Sequence, residues 1–238
     1  MTDESGNGIR AEKSGWSFEG IAPAFEEHID RSVPHYRDGH DLICRYSDFI
    51  LRDDSLVYEI GSASGTLAGQ FMRWHKGREN LRYVGLDIAE SMVEYAAAHA
   101  EPGDARLMFM HEDICTFSPQ PASVFIAYYT LQFIHPAYRQ SVVTKLYESL
   151  EWGGALFLFE KVRAPDARFQ DYANQAYIDY KLEQGFSPDE VLNKSGSLKG
   201  VLEPFSTQGN LDLMQRAGFV DVMTLYKWVN FEGWLAIK

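Results

Sequence analysis

The stretch that most constrains this chain is Leu56-Val57-Tyr58-Glu59-Ile60-Gly61-Ser62-Ala63-Ser64-Gly65-Thr66-Leu67. A short apolar run ends in a turn of small residues, and a helical pattern begins at Thr66. Gly61 and Gly65 permit a sharp turn and close approach of the backbone to a ligand. The free N–H groups that open the following helix point at that ligand. Glu59, just before the glycines, disfavours a phosphate and favours a ligand carrying hydroxyls or positive charge.

The pattern around this stretch predicts a parallel sheet. Strands are expected at Leu56–Ile60, Arg82–Asp87, Arg106–Met110, Ser123–Tyr128 and Ala155–Glu160. Helices are expected between them at Thr66–Lys76, Ala89–His99 and Tyr138–Leu150, with Gly153-Gly154 as a turn. Such alternation indicates βαβ units. Two helices, Ile21–Arg31 and Arg37–Leu51, precede them as a cap. A helix at Asn210–Ala217 and two strands, Val222–Trp228 and Gly233–Ile237, close the chain, the strands pairing antiparallel. The fold class is therefore α/β, Rossmann-like, with a seven-stranded, mostly parallel sheet and an antiparallel C-terminal hairpin. Residues 1–14 read as a disordered start and 15–238 as one domain, with an aromatic-rich helical lid at about 164–206 and a Gly/Ser/Lys stretch at Asn193–Gly200.

Charge and composition narrow the partners. With 22 Lys and Arg against 34 Asp and Glu, the chain carries a formal charge of −12, which disfavours nucleic acid and anionic membranes. No stretch reaches the ~20 apolar residues of a membrane span, and Met1–Ser14 has no signal-peptide core. Cys44 and Cys115 form neither a disulfide framework nor a metal-ligand spacing. The expectation is a cytoplasmic protein acting on a small molecule, without a metal.

In open α/β sheets the ligand sits beyond the carboxyl ends of the strands. Those ends carry Glu59, Gly61, Ser62, Ala63 and Gly65, then Asp87 and Ile88, then Asp113 and Ile114, then Tyr128 and Tyr129. Asp87, 28 residues after Glu59, is placed to accept from both ribose hydroxyls of a nucleoside. Asp113 can accept from an adenine amino group, with the Ile114 backbone beside it, and Glu59 can face a ligand's amino group. A dinucleotide fingerprint needs G-x-G-x-x-G, but the matching positions hold Gly61, Ala63 and Thr66. The acid before the first glycine and Asp87 fit an S-adenosyl-L-methionine site better. Tyr36, Tyr128 and Tyr129 offer aromatic faces to a sulfonium, Trp16 or Phe18 can cover it, and His135 or His35 can serve as a base, with Tyr128 beside them.

The whole arrangement resembles class I S-adenosylmethionine-dependent methyltransferases. Within them, Arg31-Ser32-Val33-Pro34-His35-Tyr36, Tyr129-Thr130-Leu131-Gln132-Phe133 and Gly153-Gly154-Ala155-Leu156 with Glu160-Lys161 resemble the carboxy-S-adenosylmethionine synthase family. The resemblance runs from about Trp16 to Lys238. It implies that Tyr36 contacts the cofactor, Gly61 to Ala63 line its methionine part, Asp87 and Ile88 hold the ribose, and Asp113 and Ile114 hold the adenine. It also implies a homodimer paired through the lid. Two positions depart from the family. Tyr128 stands where the family has asparagine, and Lys194-Ser195-Gly196-Ser197-Leu198 stands where it has Lys-Arg-Ser-Met-Leu. The family's arginine grips the extra carboxylate of the carboxylated cofactor, and Ser195 cannot; Lys194 or Lys199 can substitute only as a point charge. Sequence alone therefore ranks methyl transfer to a small-molecule acceptor first. Carboxy-S-adenosylmethionine synthesis from prephenate, in the pathway of tRNA wobble uridine modification, is second, and a non-catalytic S-adenosylmethionine-binding protein third.

Overall fold

The computed structural model describes residues 14–101 and 104–238. The expectation for residues 1–13 lies outside the described residues. Ser14 is ordered, donating its N–H to the Gly196 carbonyl at 3.1 Å.

Two cap helices, α1 (Ala22–Ser32) and α2 (Tyr36–Ser47), precede β1 (Leu56–Ile60). Then follow α3 (Thr66–Trp74), β2 (Arg82–Asp87), α4 (Glu90–His99), β3 (Leu107–His111), β4 (Ala122–Tyr128), α5 (Pro136–Ser149) and β5 (Leu150–Lys161). The chain continues through α6 (Ala167–Glu183), α7 (Pro188–Ser197), α8 (Thr207–Ala217), β6 (Asp221–Trp228) and β7 (Phe231–Ile237). The sheet has seven strands in the order β3-β2-β1-β4-β5-β7-β6. β1 pairs parallel with both β2 and β4, while β7 runs antiparallel to β5 and β6.

β1 and β4 are buried along their whole length, which is why their sequences are near-continuous apolar runs. Successive side chains alternate between two cores. Tyr58, Ile60, Phe125, Leu156, Leu158 and Trp234 pack with Leu146 of α5 and Met214 of α8. Val57, Val124, Ile126, Phe157 and Phe159 pack on the other face with Ile43 of α2 and Phe71 of α3. The order turns back between β1 and β4, so the crevice beyond their carboxyl ends is the topological switch point. Among the described residues no helix is long and apolar enough to cross a membrane.

Several boundaries shift by a few residues from the sequence reading, and three differences have a clear physical cause. The helix expected to Leu51 stops at Ser47, whose hydroxyl donates to the Cys44 carbonyl at 2.8 Å. Phe49, within the expected helix, is 86% exposed in the turn beyond. The Gly153-Gly154 turn lies inside β5, which starts at Leu150. There Ala122 pairs with Leu150 but Val124 with Ala155, so the glycines form a bulge, and Gly153 takes φ +79°. The Gly/Ser/Lys stretch is helical as far as Ser197, because Ser187 and Glu190 form a reciprocal capping box that starts α7. α6 and α7 fill the segment read as a lid. Phe169, Tyr172, Ile178 and Leu182 of α6 and Leu192 of α7 are exposed.

Candidate active site

A cavity of about 1120 Å³ opens at the switch point and runs under the lid. Its floor is the loop after β1. The N–H groups of Gly61 and Ser62 both donate to the Leu86 carbonyl, at 2.7 and 3.0 Å. The Ala63 N–H donates to Asp87 Oδ2 at 2.8 Å, and Asp87 Oδ1 accepts from the Ala89 N–H at 2.9 Å. Asp87 thus ties the loop to the end of β2 while lining the cavity. Burial raises its pKa, and these N–H groups partly offset that. Gly61, at φ +76°, is required twice over: any Cβ there would meet Thr130 Oγ1 at 2.5 Å. Gly65 serves packing instead, since a Cβ would strike the Phe109 ring at 2.7 Å, and it does not line the cavity.

The other expected nucleoside contacts, Ile88, Asp113 and Ile114, all line the cavity. Asp113 also accepts from the Cys115 N–H at 2.8 Å, fixing its turn. The cavity's inner wall is aromatic. Tyr36 and Tyr128 have ring centroids 5.1 Å apart, and Tyr128 and Tyr129 are 4.7 Å apart. The Ser32–Tyr36 motif is explained by three tyrosine hydroxyls that donate to its carbonyls. Tyr177 of α6 reaches Ser32 O at 2.8 Å, Tyr226 of β6 reaches Pro34 O at 3.1 Å, and Tyr128 of β4 reaches Tyr36 O. Cap, sheet and α6 are thereby fastened around one pentapeptide. Trp16 and Phe18 both line the cavity, as expected for a cover.

Besides Gly65, three expected site residues sit elsewhere. Glu59 is 3% exposed and outside the cavity lining; side-chain alternation along β1 turns it beneath the loop, where it accepts from the Tyr83 hydroxyl at 2.8 Å. Ser62 is likewise buried outside the lining, and its hydroxyl makes no hydrogen bond among the described residues. His35 adopts a left-handed backbone, φ +55°, with Nδ1 2.7 Å from Asp38 Oδ2, and does not line the cavity. Of the two histidines weighed as bases, only His135 lines it. There it also caps α5, its Nδ1 accepting from the Ala137 N–H at 3.2 Å, so Nε2 alone is available for proton transfer.

Glu59 has a consequence for stability. Burial, with Asp87 and Glu26 adding to it, pushes its pKa up to about 8. Between its unfolded value and about 8, the native state holds a proton that the unfolded chain has released, so stability falls as pH rises. Glu160, also pushed up to about 8 by burial, acts in the same sense. Relative to a chain without these two acids, the melting temperature is expected to drop from pH 6 to pH 8, against the opposite contribution of the buried lysines at the far end of the cavity. Glu59→Gln, which keeps an acceptor for Tyr83 without titrating, should flatten that drop; an unchanged slope in calorimetry would rule out a protonated Glu59.

The lid end of the cavity is basic, which the linear sequence does not show. Lys161, Arg163, Lys181, Lys194, Ser195 and Lys199 all line it. Burial, followed by the charges of Lys181 and Lys199, lowers the Lys161 pKa to about 7. Burial lowers Lys181 to about 8, although Glu190 acts against it. Burial, with the charge of Lys181, holds Lys194 well below the usual lysine range, and its Nζ lies against the Trp16 ring. Two other residues were not singled out. Gln132 bridges the wall: its Nε2 donates to Tyr129 O at 3.2 Å and its Oε1 accepts from the Lys161 N–H at 2.9 Å. Arg139, 2% exposed, donates to Ile134 O, Glu203 O and Gln132 O at 2.7, 2.7 and 3.1 Å. The Thr130–Gln132 segment that Arg139 helps hold was visible as a motif, but nothing in sequence marked Arg139 itself.

This sheet order, with a glycine loop at the switch point and an acidic end to β2, defines a class I S-adenosylmethionine-dependent methyltransferase fold. Residues 57–154 match the family model described as a methyltransferase domain. The chain is 35% identical to the carboxy-S-adenosyl-L-methionine synthase of Staphylococcus epidermidis, over 94% of this chain and 97% of that protein. It is 36% identical to the synthase of Wolinella succinogenes, over 92% of each. It belongs to the carboxy-S-adenosyl-L-methionine synthase family. Among solved structures it is similar in fold to the S-adenosylmethionine-dependent methyltransferase SibL, with a TM-score of 0.65 at 18% identity over 92% of this chain and 59% of that one. Human N-acetylserotonin methyltransferase, solved in complex with S-adenosylmethionine, gives 0.61 at 17% identity over 92% and 55%. The protein is an S-adenosylmethionine-dependent transferase.

The residues present fit that cofactor. Gly61 and Ala63 expose backbone to the cavity where a side chain at Gly61 would clash, and Asp87 and Asp113 present carboxylates at the same end.

Proposed function

We propose that this enzyme makes carboxy-S-adenosyl-L-methionine, taking the carboxyl group from an anionic second substrate held under the lid. The observation that carries this reading is the single cavity of about 1120 Å³. It exceeds the roughly 300–1,000 Å³ that encloses one drug-sized ligand, so it has room for a second molecule beyond the cofactor, at the basic end. Its acidic nucleoside end and basic lid end suit a cofactor and an anion respectively. Methyl transfer ranked first on sequence because Ser195 replaces an arginine. Ser195 does line the cavity, and so do Lys161 of β5 and Lys181 of α6, which an anion entering there would meet.

When bound, S-adenosylmethionine supplies a sulfonium whose methyl carbon is the reacting centre. Asp87 and Asp113 fix the nucleoside, and Tyr36, Tyr128 and Tyr129 present ring faces that favour the cation and exclude water. His135 is placed to move a proton through Nε2. The test is incubation with S-adenosylmethionine and prephenate, the donor that the family resemblance implies, followed by mass spectrometry of the nucleotide. A product heavier by one carboxyl group is expected. A cofactor unchanged in mass with prephenate, but demethylated with some member of a neutral small-molecule panel, would overturn the proposal in favour of methyl transfer, the reading that Ser195 itself favours.

A further inference from the structure

We infer that Lys161 and Lys181 form a clamp that holds a carboxylate of the second substrate. This rests on the reading that an anion enters under the lid. The two lysines come from different elements, the end of β5 and the middle of the lid helix α6. Both lie beside one ring, with Lys161 Nζ 4.2 Å and Lys181 Nζ 5.4 Å from the Tyr177 centroid, and the charge of Lys181 acts on Lys161. Phe231 and Phe186 flank the pair, with centroids 5.8 Å from Lys161 Nζ and 5.2 Å from Lys181 Nζ.

The charges facing the pair explain its need for a ligand. The charges that act on Lys161 are both positive, those of Lys181 and Lys199. Lys181 feels Glu190 from α7, and it in turn acts on His28 of α1 and on Lys194 of α7. Lys194 is committed to the Trp16 ring. Two amines brought together in an apolar setting, one with no acid acting on it, are costly to charge. A carboxylate between them removes that cost, and the aromatic flanks suit a carboxylate attached to a flat or apolar body. Guanidinium is always charged, whereas this pair is charged in full only when the ligand is present. Binding must therefore draw protons from solution at pH 8, and affinity must fall as pH rises through the values of the empty site.

The experiment is isothermal titration calorimetry with phenylpyruvate at pH 8, the nucleoside end filled with S-adenosylhomocysteine, in two buffers of different ionisation enthalpy. Uptake of about one proton is expected. Lys161→Met should weaken binding on the order of 30-fold or more and reduce the uptake, while leaving S-adenosylhomocysteine affinity intact as a check on folding. Lys161→Arg should keep the affinity and lose most of the uptake, which a merely structural role would not produce. No proton uptake by the native enzyme, or full affinity in Lys161→Met, overturns the clamp. The two proposals fail separately. Phenylpyruvate binding with proton uptake, without any carboxylated product from prephenate, keeps the clamp and removes the reaction. Carboxylated product formed at native rate by Lys161→Met keeps the reaction and removes the clamp.

Discussion

Replacing Asp87 with alanine is expected to weaken S-adenosylmethionine binding by on the order of 100-fold or more. A hydrogen bond to a charged group contributes about 1.5–3 kcal/mol, and the ribose offers two hydroxyls to this carboxylate. A second effect adds to the first. Asp87 accepts from the Ala63 and Ala89 N–H groups at 2.8 and 2.9 Å, so its removal also loosens the loop on which the methionine part would rest. Asp87→Asn keeps one acceptor oxygen and should lose less. Titration of S-adenosylhomocysteine into each variant measures this directly, and an affinity within threefold of native in Asp87→Ala would remove Asp87 from the site.

Arg139→Ala is expected to be among the most destabilising substitutions in the chain. The guanidinium is buried and satisfies three carbonyls, those of Gln132, Ile134 and Glu203; burial lowers its pKa, and Glu160 lies close enough to act against that. Alanine would strand these acceptors in a closed interior, at a cost of about 3 kcal/mol. For a chain of this size that corresponds to a melting temperature lower by about 6–12 °C. Lysine keeps a charge but lacks the planar fork, so Arg139→Lys should recover only part of the loss. A melting temperature within 1 °C of native in the alanine variant would show that water replaces the guanidinium. Because Arg139 joins the Thr130–Ile134 segment to Glu203 beyond the lid, its loss should also raise the KM for the second substrate.

How much was legible in sequence depended on whether the signal was local. β1 and β4 are buried on both faces, so their runs could be read directly, and the glycine loop and Asp87 lie within one βαβ unit at a fixed spacing. Glu59 misled because a residue next to a site in sequence faces away from it when strand alternation turns its side chain under the loop. His35 misled for a related reason: a left-handed backbone sends its ring to Asp38, outside the cavity. The Gly153-Gly154 pair read as a turn because a bulge and a turn make the same local demand for glycine, and only pairing with Ala122 and Val124 distinguishes them.

By itself, then, the sequence determined the sheet and the family, since the strands and helices alternate as βαβ units and the family motifs are kept in order. It also recorded the loss of an arginine at Ser195. The consequence of that loss was decided by tertiary structure. Lys161 ends a strand and Lys181 lies on a helix 20 residues on; only the lid's packing sets both amines over the Tyr177 ring. Electrostatic energy depends on distance through the folded interior, not along the chain, and for that reason the charge at the lid end of this cavity could not be counted from the sequence.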